Sequence, residues 1–154
     1  MGLFEEALLA YQQALRLGLV GPEEALSNIA SIYSEHLGQP NKALSYLDEA
    51  LALNPSYFPA LFNRAHIAEQ MGDREGTIEG FARAHEVDPE NPLPLARLVE
   101  ALEWVRSEDP RLEQLRAMAG NRDPDALVAL AKVEERLGNY PAAWDALVAT
   151  NSVD

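Results

Sequence analysis

The chain contains no cysteine. Disulfides, thiolate nucleophiles and cysteine-ligated zinc are excluded, which fits a reducing compartment. Basic residues are also few, with 12 Lys and Arg against 25 Asp and Glu and a formal net charge of −13. Binding a phosphate backbone needs clustered Lys and Arg that release counterions. The basic residues here are scattered, so neither nucleic acid nor an anionic membrane surface is an expected partner. The acidity favours solubility, and a basic partner is the sharper reading of it. No apolar run approaches the roughly 18 residues that a membrane span needs. The opening Met1-Gly2-Leu3-Phe4-Glu5-Glu6 lacks the basic and apolar segments of a signal peptide. A cytoplasmic protein is expected. Val and Ile are sparse and no window alternates with period two, so strands are not expected.

Helical periodicity fills the 154 residues instead, and 47% apolar content is enough to build a core. Phe4, Ala7, Leu8, Tyr11, Ala14 and Leu15 share one face of a first helix over 4–17, closed by Gly18 and Gly21-Pro22. Further helices are predicted over 22–37, 41–53, 57–71, 73–87 and 92–105. Three more follow over 110–119, 124–137 and 140–150. The stops are Gly38, Asn54-Pro55, Gly72, Asp88-Pro89, Gly120-Asn121 and Gly138-Asn139, while Asp73, Asn91 and Asp123 are N-cap candidates. Connections of a few residues pack successive helices antiparallel. The pattern reads as nine helices: four hairpins and one unpaired leading helix.

Two stretches superimpose at a step of 34 residues. Gly38, Ala43, Leu47, Ala50, Leu53 and Pro55 recur as Gly72, Thr77, Phe81, Ala84, Val87 and Pro89. Ala43, Ala50, Ala65 and Ala84 suit close helix approach, and Leu47, Leu61, Phe81 and Leu95 fill the gaps between hairpins. Gly38, Gly72 and Gly138 suit a left-handed turn between the helices of a pair. This combination resembles the tetratricopeptide repeat family, with Gly138-Asn139-Tyr140-Pro141-Ala142-Ala143 matching the turn and second-helix opening of a last copy. The resemblance implies an all-α, right-handed α–α superhelix. It reads as one array over 1–154: a lone second helix of a truncated repeat (1–20), repeats at 22–55 and 56–89, a degenerate repeat at 92–120 and a last repeat at 123–150.

There are departures from the pattern. Asn28 lies ten residues before Gly38 but Asn63 nine before Gly72, so the helix over 22–37 carries one extra residue and its register shifts by one position. The 92–120 pair lacks the turn Gly and the closing Pro. The opening Gly2-Leu3-Phe4-Glu5-Glu6-Ala7 looks like a second helix without its first. A solenoid end without a polar cap exposes apolar surface, which predicts a homodimer through the unpaired N-terminal helix or a missing neighbour. A narrower resemblance rests on Gly21-Pro22-Glu23-Glu24-Ala25-Leu26-Ser27-Asn28-Ile29-Ala30, Ala52-Leu53-Asn54-Pro55-Ser56-Tyr57-Phe58-Pro59-Ala60-Leu61, Asp109-Pro110-Arg111-Leu112-Glu113-Gln114-Leu115 and Ala129-Leu130-Ala131-Lys132-Val133-Glu134. These runs resemble the repeat region preceding a sulfotransferase domain in some bacterial proteins, whose catalytic half would lie beyond Asp154.

Signals for catalysis are absent. The glycines are isolated helix stops rather than a phosphate-cradling loop. His36, His66 and His85 sit on different helices, so no metal and no cofactor are expected. Glu5-Glu6, Glu23-Glu24, Glu108-Asp109 and Glu134-Glu135 read as helix-end or exposed charges. Trp104, late in the helix over 92–105, and Trp144 read as inter-repeat packing anchors, with a groove position open for Trp104. In the resembled family the first helices line the concave face. By that register the candidate partner contacts are Asn28, Glu35, Phe62, Asn63, His66, Glu69, Glu100, Glu103 and Lys132. Where some members hold a peptide C-terminus with Lys, Asn and Arg, this chain offers Phe62, His66, Ala96 and Glu100, so that specificity is not expected. The glutamates favour basic or hydrogen-bonding segments. The expected function is protein–protein interaction without catalysis, with a substrate-presenting region of a larger sulfotransferase-like enzyme as the alternative.

Overall fold

A computed structural model describes residues 2–152, which form nine α-helices and no strand. They are α1 (Leu3–Leu17), α2 (Pro22–Ser31, continued by a π-helical turn over Ile32–His36), α3 (Pro40–Leu53), α4 (Phe58–Gln70) and α5 (Arg74–Val87), followed by α6 (Pro92–Ala101), α7 (Pro110–Gly120), α8 (Pro124–Arg136) and α9 (Tyr140–Thr150). Starts are set by chemistry that suits helix N-termini. Proline opens α2, α3, α6, α7 and α8, where its missing N–H costs no hydrogen bond. The Asp73, Asn91 and Asp123 carboxylate or amide oxygens accept from Gly76 N, Leu93 N and Ala126 N at 3.1, 3.1 and 2.9 Å, as expected of caps. Gly38, Gly72 and Gly138 have φ of 61°, 74° and 75°, the left-handed turns their positions predict. Arg122 takes the same conformation (φ 63°) in the α7–α8 turn, where no glycine is available.

The chain divides into two compact units, Met1–Gly80 and Phe81–Asp154. In the first, α2 packs on α3, and α4 lies against both. Leu26, Ile29, Ala30, Tyr33, Leu47 and Ile67 form its core, with Leu8 of α1 at the edge. Fully buried Ala43, Ala50 and Ala65 mark close approaches. A further close approach is one that sequence reasoning missed: a Cβ on Gly80 would stand 2.6 Å from Ala65 Cβ, so only glycine lets α5 lie this near α4. In the second unit, α8 packs against α6, α7 and α9. Its core gathers Leu95, Val99, Leu112, Leu115, Leu127 and Val133.

Two helices differ from expectation, each for a visible reason. The extra residue in the helix over 22–37 is absorbed by the π-helical turn, where Leu37 N bonds Ile32 O at 3.1 Å, five residues back. Such a turn takes up one residue without ending the helix. The α6 helix stops at Ala101 rather than reaching Val105, with Leu102 extended (ψ 123°). Its last carbonyls are taken by a neighbour: Arg136 of α8 donates from Nη1 to Glu100 O (3.1 Å) and Leu102 O (3.0 Å), and from Nη2 to Val99 O (3.2 Å). A guanidinium at a helix C-terminus satisfies orphan carbonyls and complements the dipole.

Candidate functional site

In the first unit, six of the nine candidate residues sit on the first helices of successive pairs, α2 with its π-helical turn and α4. Asn63 reaches across from α4 and donates through Nδ2 to Ser31 Oγ of α2 at 3.3 Å. Ser31 in turn donates to the Ser27 carbonyl at 3.2 Å. Along α4, Phe62 stacks on Phe58 with ring centroids 5.9 Å apart. One turn on, His66 Nδ1 lies 3.5 Å from Glu69 Oε2, and the Gln70 amide lies 3.1 Å from His66 Nε2. Phe62, Asn63, His66 and Glu69 are all half-buried, as is Asn28. Glu35 is exposed on the π-helical turn, 4.0 Å from His36, whose ring stacks on Phe4 at 3.9 Å. The face thus offers a π surface beside amide, imidazole and carboxylate groups, which can grip a chain by stacking and hydrogen bonding.

The second unit repeats the relation with different chemistry. Lys132 of α8 holds both carboxylate oxygens of Glu100 on α6, at 3.2 and 3.3 Å. Asn63–Ser31 and Lys132–Glu100 are each 32 residues apart, so both units bridge neighbouring first helices at nearly the repeat step. Arg97 Nη1 adds a longer contact to Glu100 at 3.9 Å. The Glu100 charge is therefore largely met within the protein. Glu103 is not on a first helix at all. It lies past the end of α6, because Arg136 caps that helix early. The same break carries Trp104 out of any helix to 86% exposure, so it is neither an inter-repeat anchor nor a groove residue of α6. Trp144 is likewise 67% exposed on α9 instead of packed.

The Glu134-Glu135 pair, expected at a helix end or on an exposed face, does lie in the last turn of α8, but its first member is buried. Glu134 is only 2% exposed. Arg116 of α7 donates to Glu134 Oε1 from Nε at 2.8 Å and lies 2.7 Å from it through Nη2, while Asn139 donates to Oε2 at 2.9 Å. Arg116 Nη1 also reaches Glu113 and the Ser107 carbonyl. Burial alone would lower the Arg116 pKa, but the hydrogen bonds to Glu134 and Glu113 outweigh it and the net direction is upward. The signal was present in the helical spacing: Glu134 falls one heptad after buried Leu127, on the inward stripe of α8. Its network fixes α7 to α8, a structural task. Among the described residues, no three His, Asp or Glu side chains gather as a metal site, and no helix is long and apolar enough to cross a membrane.

Comparison with known proteins agrees with this geometry. Residues 23–57, from α2 to the residue before α4, match the tetratricopeptide repeat family model. No curated protein matches the chain in sequence. Among solved structures, a crystal structure of MamA superimposes with a TM-score of 0.75 at 16% identity, covering 97% of this chain and 87% of that one. MamA RS-1, as a double mutant, gives 0.71 at 18% identity, over 98% and 85%. MamA AMB-1 gives 0.70 at 16% identity, over 98% and 82%. At such identities the likeness is one of fold: the chain is all-α and built of helix pairs, with the tetratricopeptide repeat match confined to residues 23–57.

Proposed function

Taking that fold as the premise, we propose that the chain is a protein-interaction scaffold without catalysis of its own. It binds an extended or helical segment of a partner protein on the face formed by α2 and α4. The observation that carries this reading is the row of Phe62, Asn63, His66 and Glu69. All four are half-buried on one helix whose neighbour is held alongside by the Asn63–Ser31 bond. Residues that are neither core nor fully solvated, and that mix an aromatic ring with donors and acceptors, are suited to specific contacts. Asn28 and Glu35 extend the face along α2 and its π-helical turn. Glu35 and Glu69 supply a preference for basic segments in this unit, whereas Glu100 of the second unit is already engaged by Lys132.

Selection from a random peptide phage library tests the reading. The wild-type chain enriches defined segments with Lys or Arg beside apolar residues, and the Phe62→Ala/Asn63→Ala/His66→Ala variant, checked for helicity, loses them. Equal enrichment by the variant would sink the assignment of this face. The alternative, a substrate-presenting repeat region of a sulfotransferase-like enzyme, rests on sequence resemblance alone. A reading frame continuing into such a domain would favour it.

A further inference from the structure

The face formed by α2 and α4 changes chemistry along its length. At 100° per residue, Phe58, Phe62, His66 and Glu69 fall within roughly 80° of arc on α4. All four are half-buried. The stripe begins with hydrocarbon and ends with charge. In the opening turns of α4, Phe58 and Phe62 stack with centroids 5.9 Å apart and planes 20° from parallel. Glu69 stands in the last turn, with His66 Nδ1 3.5 Å from its carboxylate. The C-terminal end of a helix dipole also favours a cation there. Along one edge of the stripe lie two amides, half-buried Asn63, which bonds Ser31 of α2, and exposed Gln70.

We infer that this stripe reads an extended basic segment in a fixed register, an inference that rests on the scaffold reading above. The partner lies along α4. One apolar side chain seats on the Phe58 and Phe62 rings, and a Lys or Arg side chain meets Glu69. The spacing of the two anchors follows from geometry. At 1.5 Å per residue, Phe58 and Phe62 precede Glu69 by about 16.5 and 10.5 Å along the helix axis. An extended chain advances about 3.3 Å per residue, so its anchors stand about three to five residues apart. A helical segment would need about seven to eleven residues to cover the same span. The amides select the extended form. An extended backbone presents N–H and C=O groups that Asn63 and Gln70 can meet, whereas a helix bonds its own. Charge selects the basic anchor. The net charge of −13 disfavours acidic segments everywhere on the surface, and Glu69 fixes where the cation goes.

The random peptide phage library, applied to three forms of the full chain, tests the register. Wild type enriches peptides in which an apolar residue and a Lys or Arg stand about three to five positions apart. Glu69→Lys enriches Asp or Glu at that same separation instead. Glu49→Lys, at an exposed position on α3, changes the net charge equally and leaves the wild-type motif intact. Each variant is first checked for wild-type circular dichroism. In fluorescence anisotropy, a labelled peptide selected by wild type binds Glu69→Lys about tenfold more weakly. Phe62→Ala and replacement of the peptide's apolar residue by Ala weaken binding less together than the sum of their separate effects, as contacting groups do. A wild type that enriches no peptide overturns the scaffold reading and this inference with it. Peptides that enrich and depend on the α2–α4 face leave that reading standing, yet overturn the register if their anchors keep helical separation or none. So does an unchanged motif from Glu69→Lys, or additivity between Phe62→Ala and the peptide's apolar position.

Discussion

Breaking the Glu134–Arg116 pair from its two sides gives unequal results, and the inequality follows from which group remains buried. Glu134 is 2% exposed and the Arg116 side chain 28%. Arg116→Met removes the cation and leaves a buried carboxylate with the Asn139 amide as its remaining side-chain donor. An uncompensated buried charge costs about 3–5 kcal/mol. Glu134→Ala instead leaves a guanidinium that reaches solvent and keeps Glu113 and the Ser107 carbonyl. Its cost is the lost hydrogen bonds and a small cavity, about 1–3 kcal/mol. Combining Arg116→Met with Glu134→Leu recovers much of the loss, because apolar pairs replace buried ion pairs with little penalty. The assay is urea unfolding followed by tryptophan fluorescence, since both tryptophans lie in the second unit, with circular dichroism alongside because two compact units need not melt together. The reasoning fails if Arg116→Met costs no more than Glu134→Ala, or if the double variant is worse than either single one.

Three smaller changes follow from local geometry. Gly80→Ala drives a methyl into Ala65 and lowers stability by about 1–3 kcal/mol. Ala65→Gly restores part of it, which thermal melts of the single and double variants would show. Arg122→Gly relieves the left-handed backbone of the α7–α8 turn and raises stability by about 0.5 kcal/mol, measurable as a higher urea midpoint. Asp109 accepts from Arg111 N at 2.9 Å, and the Arg111 side chain holds its carboxyl below the usual aspartate range. A depressed folded pKa gives stability that is full above the ordinary value near 3.8 and fades as pH falls through the lower folded value. Asp109→Ala should therefore cost about 1 kcal/mol at neutral pH, with the difference from wild type vanishing in acid.

What the sequence made legible was whatever repeats and acts locally. Gly38, Gly72 and Gly138 announced left-handed turns because only glycine takes them cheaply, and Asp73, Asn91 and Asp123 announced helix starts because their side chains cap within three residues. The fully buried Ala43, Ala50 and Ala84 were readable from their period. What was hidden depends on partners distant in the chain. The early end of α6 is fixed by Arg136 of α8, so Glu103 and Trp104 seemed helical when they are not. Glu134 resembled its exposed neighbour Glu135 until Arg116 was placed beside it. The extra residue before Gly38 was countable, but the π-helical turn that houses it is a backbone solution that composition does not display. Of the candidate face, the Asn63–Ser31 bond and the pairing of Glu100 with Lys132 emerge only from three-dimensional proximity.

The most direct test of the scaffold reading is an amide chemical-shift map of the labelled chain titrated with a library-selected peptide. The account predicts that the perturbed amides cluster on α2 and α4, centred on Asn28, Phe62, Asn63 and His66, with α3 largely silent. Perturbations concentrated on α3, or on α8 and α9 instead, would contradict it.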